Sequence, residues 1–202
     1  MPTHSANSLF GQNIQSARDC LSLYDAIVAL RPAGLNIEWV LRAAIVFTVS
    51  ALDTYFHDKV KYRIGKLSLR NLPPSLANFE VRVKELDSWS KARRKGNVLR
   101  NWVTEYLSTR PLQSPSVIAE ALKLADIQSF WDKVEKDKTQ REALLKQFNA
   151  LIKRRNQISH EGDRMTSRRS GKALRSITRD EVIACMQFAE NLVAKVETAF
   201  PN

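Results

Sequence analysis

Arg155, Asn156 and His160 bring together three side chains suited to phosphate chemistry. A guanidinium holds phosphoryl oxygens and the negative charge that develops on them. A carboxamide donates and accepts hydrogen bonds without carrying charge, and an imidazole exchanges protons near neutral pH. These are the parts for breaking a phosphodiester without a metal. Asn156 and His160 are four residues apart, which places them one turn from each other on a helix. Arg155 is the anomaly. With Leu144 set at the origin and about 100° per residue, Arg155 falls at about 20°, the mean direction of Leu144, Leu145, Phe148, Leu151, Ile152 and Ile158. An unpaired charge at the centre of an apolar stripe is costly. Something must satisfy it: a carboxylate inside the fold, a second subunit or a bound phosphate.

The charge of the chain points the same way. Its 202 residues hold 32 Lys and Arg against 21 Asp and Glu, a formal +11. The excess is local. Residues 82–110 hold 8 basic and 3 acidic residues and residues 153–179 hold 9 and 2, so the rest of the chain is close to neutral. A local surplus fits a polyanion, either nucleic acid or an anionic membrane face, and a solvated basic surface is the bland alternative. Arg93, Arg94 and Lys95 in the first window, and Arg154, Arg164, Arg168, Arg169, Lys172 and Arg175 in the second, are the candidate contacts. Trp89 and Trp102 flank the first window and are the two aromatics placed to stack on bases.

Other chemistries find little support. Asp53 and His57 are four apart on the polar side of an apolar helix, where a solvated ion pair is expected. His4 carries no information. With 2 Cys and 3 His in all, and no cluster at ligand spacing, no metal site and no disulfide framework is expected. No phosphate-binding Gly-rich loop, nucleophile elbow or other cofactor motif is present, so no cofactor is expected. The N-terminus lacks the pattern of a secretory signal, and the longest uncharged apolar run, 43–52, is about half a membrane span. The expectation is a cytoplasmic protein with reduced thiols and no membrane partner.

These residues must be positioned by helices. Only 6 Gly and 7 Pro punctuate the chain, and its apolar residues recur at spacings of three and four. The pattern predicts principal helices over 9–30, 36–62, 138–160 and 179–199, with a further helix near 116–125 capped by Ser114. Pro32 and Gly34 end the first, Asn36 caps the second, Gly162 follows the third, and Thr178-Arg-Asp-Glu181 has capping-box spacing before the fourth. Residues 164–176 read as an exposed basic loop. The expectation is one all-α domain over residues 1–202, a four-helix bundle with a helical insertion at about 70–135.

The stretch Leu151-Ile-Lys-Arg-Arg-Asn-Gln-Ile-Ser-His-Glu-Gly-Asp163 resembles the R-N-x-x-x-H signature of the HEPN superfamily, matched at Arg155, Asn156 and His160. It is most similar to the RiboL-PSP-HEPN subgroup, where such a helix is followed by Gly and an acidic residue. Ala51-Leu-Asp-Thr-Tyr-Phe56 resembles that family's counterpart segment in the second helix. The resemblance covers the four principal helices and does not extend motif by motif to residues 70–135. It implies a HEPN-like fold and a metal-independent endoribonuclease, often a toxin or antiviral effector, in which two subunits pair so that both motif copies line one cleft. By that resemblance His160 activates the ribose 2′-OH or protonates the leaving 5′-oxygen, Arg155 holds the scissile phosphate and Asn156 orients one of them. RNA is the expected partner, cut to 2′,3′-cyclic phosphate ends, with an inhibitory or activating protein restraining the activity. The alternative is a non-catalytic helical module that binds RNA or a protein.

Overall fold

Ser5 fixes the start of the first helix by accepting a hydrogen bond from the Ser8 amide at 3.1 Å. The computed structural model describes residues 5–30, 34–68, 70, 72–77, 79–165 and 173–201. Helix α1 (Ala6–Ala29) buries Phe10, Ile14 and Ala17 along one face. It begins three residues before the apolar pattern does, because the cap sets a helix start. Gly34 turns the chain at φ +73°, while Pro32 lies outside the described residues. Helix α2 (Glu38–Lys66) follows. Asn36 stands one residue before the N-cap, Ile37, and its Oδ1 accepts from the Glu38 amide at 3.0 Å. Then come α3 (Pro74–Ala77), α4 (Val83–Lys91), α5 (Lys95–Ser108), α6 (Pro115–Leu124), α7 (Phe130–Val134), α8 (Lys138–His160) and α9 (Arg179–Ala199). The secondary structure of the described residues is helical, so the protein is all-α.

The 29 residues of α2 extend for about 43 Å. They form the axis on which α1, α5, α6, α8 and α9 pack. Val40, Leu41, Ala44, Ile45, Val49, Leu52, Tyr55, Phe56 and Val60 are buried around it. By length and composition alone α2 is apolar enough to cross a membrane, and here its neighbours cover most of that stretch. Phe56 anchors an aromatic cluster, edge-on to Phe130 at 6.3 Å and Trp131 at 6.4 Å and stacked on Phe148 at 6.4 Å. Such pairs contribute about 0.5–1.5 kcal/mol each beyond area burial. Trp131 also donates its indole N–H to the Pro115 carbonyl at 2.8 Å, so α7, α6 and α8 share one core. The periodicity does not mark α7, since five residues are too few to display it.

Helices α5 and α6 pack against α2, and α3, α4 and α7 pack on those two. Asp53 holds them there. Its carboxylate accepts from the Leu112 amide at 2.6 Å and the Gln113 side chain at 3.4 Å, and it lies 3.6 Å from His57 Nε2. The pair expected to be solvated is therefore mostly covered, because the Leu112–Gln113 turn packs over it. Burial pushes the His57 pKa below its ordinary value, against the opposing pull of Asp53. Lys59 is buried one turn below Tyr55, and both donate to Glu197 of α9, at 2.9 and 2.6 Å.

Candidate active site

Helix α8 ends where Gly162 and Asp163 both adopt positive φ, +61° and +56°. Glycine adopts this conformation without a Cβ penalty, and aspartate is among the few other residues that tolerate it. The Glu161 and Asp163 amides both donate back to the Gln157 carbonyl, at 3.2 and 2.8 Å. The chain then pairs with itself around an antiparallel bridge between Arg164 and Leu174. Met165 N–H donates to Ala173 O and Arg175 N–H to Asp163 O, both at 2.8 Å. The basic segment expected to be a loop over 164–176 thus has a paired stem at its two ends. Arg168, Arg169 and Lys172 lie outside the described residues.

Asp163, 1 % exposed, holds this turn by accepting from two arginines. Oδ2 takes Arg42 Nε at 2.6 Å, and Oδ1 takes Arg154 Nη1. Arg42 also donates to Glu38 at 3.1 Å and to the Arg175 carbonyl at 2.7 Å. Arg154 further reaches Glu181 Oε1 at 2.9 Å and the Ser176 carbonyl at 3.1 Å. Thr178 does cap α9, accepting from the Glu181 amide at 3.1 Å. The Glu181 carboxylate, however, meets Arg154, so only half of the capping-box pattern is used as a box. The first turn of α2, the end of α8 and the start of α9 are therefore locked together by charge-assisted hydrogen bonds. The sequence carries no signal for Arg42, and it shows Asp163 only as the acidic residue after Gly162.

Within this frame Arg154 and Arg155 differ sharply. The Arg154 guanidinium has its donors engaged by Asp163, Glu181 and the Ser176 carbonyl, which tie it into the turn. Arg155 is half-buried, and its Nη1 donates to Asn156 Oδ1 at 3.0 Å. Its Nε is buried with no hydrogen-bond partner. Among the described residues no carboxylate forms an ion pair with Arg155. Among the described residues the guanidinium at the centre of the apolar stripe is thus met by a neutral amide. With its oxygen occupied, the Asn156 side chain has its NH₂ left to donate. His160 is the last residue of α8 and is exposed beside the 163–175 stem.

Arg164 is exposed on that stem, and Arg175 is half-buried and pairs with Glu161 at 3.2 Å. The first basic window lies elsewhere. Arg42 lies at the end of α2 that meets the α8 turn, whereas a Cβ placed on Gly65, near the other end, would lie 3.6 Å from the Arg100 side chain. The 23 residue steps from Arg42 to Gly65 correspond to about 34 Å along the helix. Arg93, Arg94 and Lys95, at the exposed corner between α4 and α5, therefore do not converge with His160. Trp89 and Trp102 stack on each other at 5.3 Å, with Lys95 Nζ 5.8 Å from the Trp89 ring. The thiols of Cys20 and Cys185 are free, and burial raises Cys185 to about 11. Among the described residues no three His, Cys, Asp or Glu side chains gather as metal ligands.

A family model described as RiboL-PSP-HEPN matches residues 12–202. No curated protein and no solved structure matches the chain. The family match runs over nearly the whole length and takes in the α8 residues that carry the R-N-x-x-x-H spacing; the chain belongs to the RiboL-PSP-HEPN family.

Proposed function

We propose that the protein is a metal-independent endoribonuclease whose site is Arg155, Asn156 and His160. One observation carries this reading. Among the described residues carboxylates meet Arg154 but none meets Arg155, whose Nε is buried and unpartnered on the helix that ends in the exposed His160. A scissile phosphate is the group that would satisfy it. The RNA 2′-oxygen attacks phosphorus and the 5′-oxygen leaves, while one imidazole takes the 2′ proton and an imidazolium supplies a proton to the 5′-oxygen. No water enters this step, so the product ends in a 2′,3′-cyclic phosphate. Arg155 holds the charge on the phosphate oxygens, and Asn156, tethered to Arg155, orients the phosphate or the attacking hydroxyl.

A second copy of the chain fits this reading, since one histidine cannot be base and acid at once. The outward face of α2 offers a surface for it. Trp39 is 58 % exposed and Phe47 43 %, with Ala43 and Val46 half-buried beside them. Arg42 and Asp53, the charges that bound this stretch of α2, are engaged by Asp163 and Leu112. A homodimer through this face would bring two α8 ends to one cleft. As a cytoplasmic ribonuclease with a toxin or antiviral role, the protein would need an inhibitory or activating partner, because uncontrolled cleavage harms the host.

The test is incubation of the purified protein with mixed RNA in EDTA, followed by end-group chemistry. Cyclic phosphate ends that disappear with His160→Ala are the expected result. Intact RNA would sink the reading and favour a non-catalytic module that binds RNA or a protein. One observation favours that second reading: among the described residues nothing hydrogen-bonds to His160 to fix its ring, whereas catalytic histidines are commonly oriented by a neighbour.

A further inference from the structure

The far end of α2 carries a second concentration of positive charge, apart from the α8 site. A cavity of about 300 Å³ opens there, lined by Arg63, Lys66 and Lys133, with Phe200 and the 125–127 turn as its remaining walls. Among the described residues none of these three cations forms an ion pair, and Asp126, the one carboxylate in the lining, pairs with none of them. Arg63 Nε is buried without a hydrogen-bond partner, and its guanidinium lies 5.8 Å from the Phe200 ring. Lys66 Nζ sits 4.1 Å over the Tyr62 ring, leaving its three protons without an oxygen acceptor. The C-terminal dipole of α2 offers about half a negative charge, too little to balance three cations. The exposed Arg93–Lys95 corner belongs to the helix that packs on this half of α2, so the first basic window adds to the same field.

We propose that this cavity is an anion site that binds a phosphate group, with Arg63, Lys66 and Lys133 as its donors. Arg63 is half-buried with its Nε covered, and the two lysines, both exposed, close around the anion from α2 and α7. Asp126 restricts entry to anions small enough, or oriented enough, to keep clear of its carboxylate. The phosphate has two candidate sources, a nucleic-acid backbone or a small phosphorylated molecule. The site does not depend on whether α8 performs catalysis.

Calorimetry with inorganic pyrophosphate, and anisotropy with a labelled oligothymidylate bearing a 5′-hydroxyl, test the site. Neither probe has a 2′-OH, so cleavage plays no part in either result. The variant is Lys66→Gln with Lys133→Gln, two exposed positions whose change leaves the core intact, as a thermal melt would verify. Pyrophosphate affinity is expected to fall at least about tenfold in this variant. A parallel loss for the oligothymidylate assigns the site to a nucleic-acid backbone; a loss confined to pyrophosphate assigns it to a small phosphorylated molecule. Absence of saturable pyrophosphate binding by the unaltered protein, or equal binding by the double variant, overturns the proposal.

Discussion

Asp163 Oδ2 lies 2.6 Å from Arg42 Nε, across 121 residues of sequence, in a contact where both side chains are almost wholly covered. Because Asp163 also accepts from Arg154, a single carboxylate stands between two guanidinium groups. A buried charge is most sensitive to removal of its partner, since the remaining ion is left in a poorly solvating interior. Asp163→Asn preserves shape and tolerates the φ of +56°. It is expected to cost about 3 kcal/mol in urea unfolding, towards the lower end for a broken buried pair because Glu38 and Glu181 remain. A loss below about 1 kcal/mol would place the interaction among exposed ion pairs instead.

The same reasoning predicts opposite behaviour for the next two arginines on α8. Arg154→Met strips Asp163 and Glu181 of a shared partner and is expected to lower the unfolding midpoint. Arg155→Met removes a guanidinium whose Nε has no partner and replaces it with an apolar chain of similar length. Its stability is expected to match or exceed that of the unaltered protein, while RNA cleavage is lost. A purely structural Arg155 would show the reverse, lower stability with cleavage retained in the folded fraction. Denaturation and cleavage measured on one preparation decide between them.

Under the proposed function, His160→Ala isolates the proton-transfer step. The residue is exposed at a helix end, so the fold and the affinity for RNA should be unchanged. General acid–base groups typically contribute about 10²–10⁴ in rate, and the loss is expected in that range. Equal cleavage by the variant would remove His160 from the mechanism.

The stem after α8 is expected to hold the RNA backbone without affecting stability. Replacing Arg164, Arg168, Arg169 and Lys172 together by Gln should weaken RNA binding. The slope of log affinity against log salt should become shallower by about 0.7 for each single-strand phosphate that is no longer neutralised. For Arg164→Gln alone the unfolding midpoint should remain, because Arg164 is exposed and forms no ion pair among the described residues. An unchanged salt slope would move the backbone path away from this stem.

Much of this arrangement is legible in the amino-acid sequence. The spacing of Phe10, Ile14 and Ala17, or of Phe148 and Leu151, records which face a helix buries, and the four long helices follow from it. Gly162 marks the end of α8, and Ser114 the start of α6, because caps are local chemistry. Arg155 stands out as an anomaly because the helical wheel places it on the core-facing side. Its neighbour Arg154 reads as a phosphate ligand because sequence shows a charge without its partner, and Asp163 and Glu181 arrive from a turn and another helix. Arg42 is hidden for the same reason. The separation of the two basic windows is likewise invisible, since charge counting locates residues along the chain and not along α2.

His57 supplies a pH signature for the attachment of residues 74–134 to α2. Burial lowers its pKa from the ordinary value near 6.5, with Lys61 adding to that and Asp53, Asp58 and a backbone bond at Arg110 opposing it. A depressed histidine pKa means that the unfolded chain binds a proton more readily than the folded one. The neutral ring's contribution is therefore complete above pH 6.5 and erodes as pH falls from there towards the folded pKa. Most carboxylates titrate only below about pH 5, so the window between about 5 and 6.5 belongs to histidine. The unfolding midpoint is expected to fall as pH drops through this window, and His57→Gln, which keeps a donor for Asp53, should flatten the decline. A slope that persists unchanged in His57→Gln would show that the ring is solvated and that Asp53 alone secures the Leu112 turn.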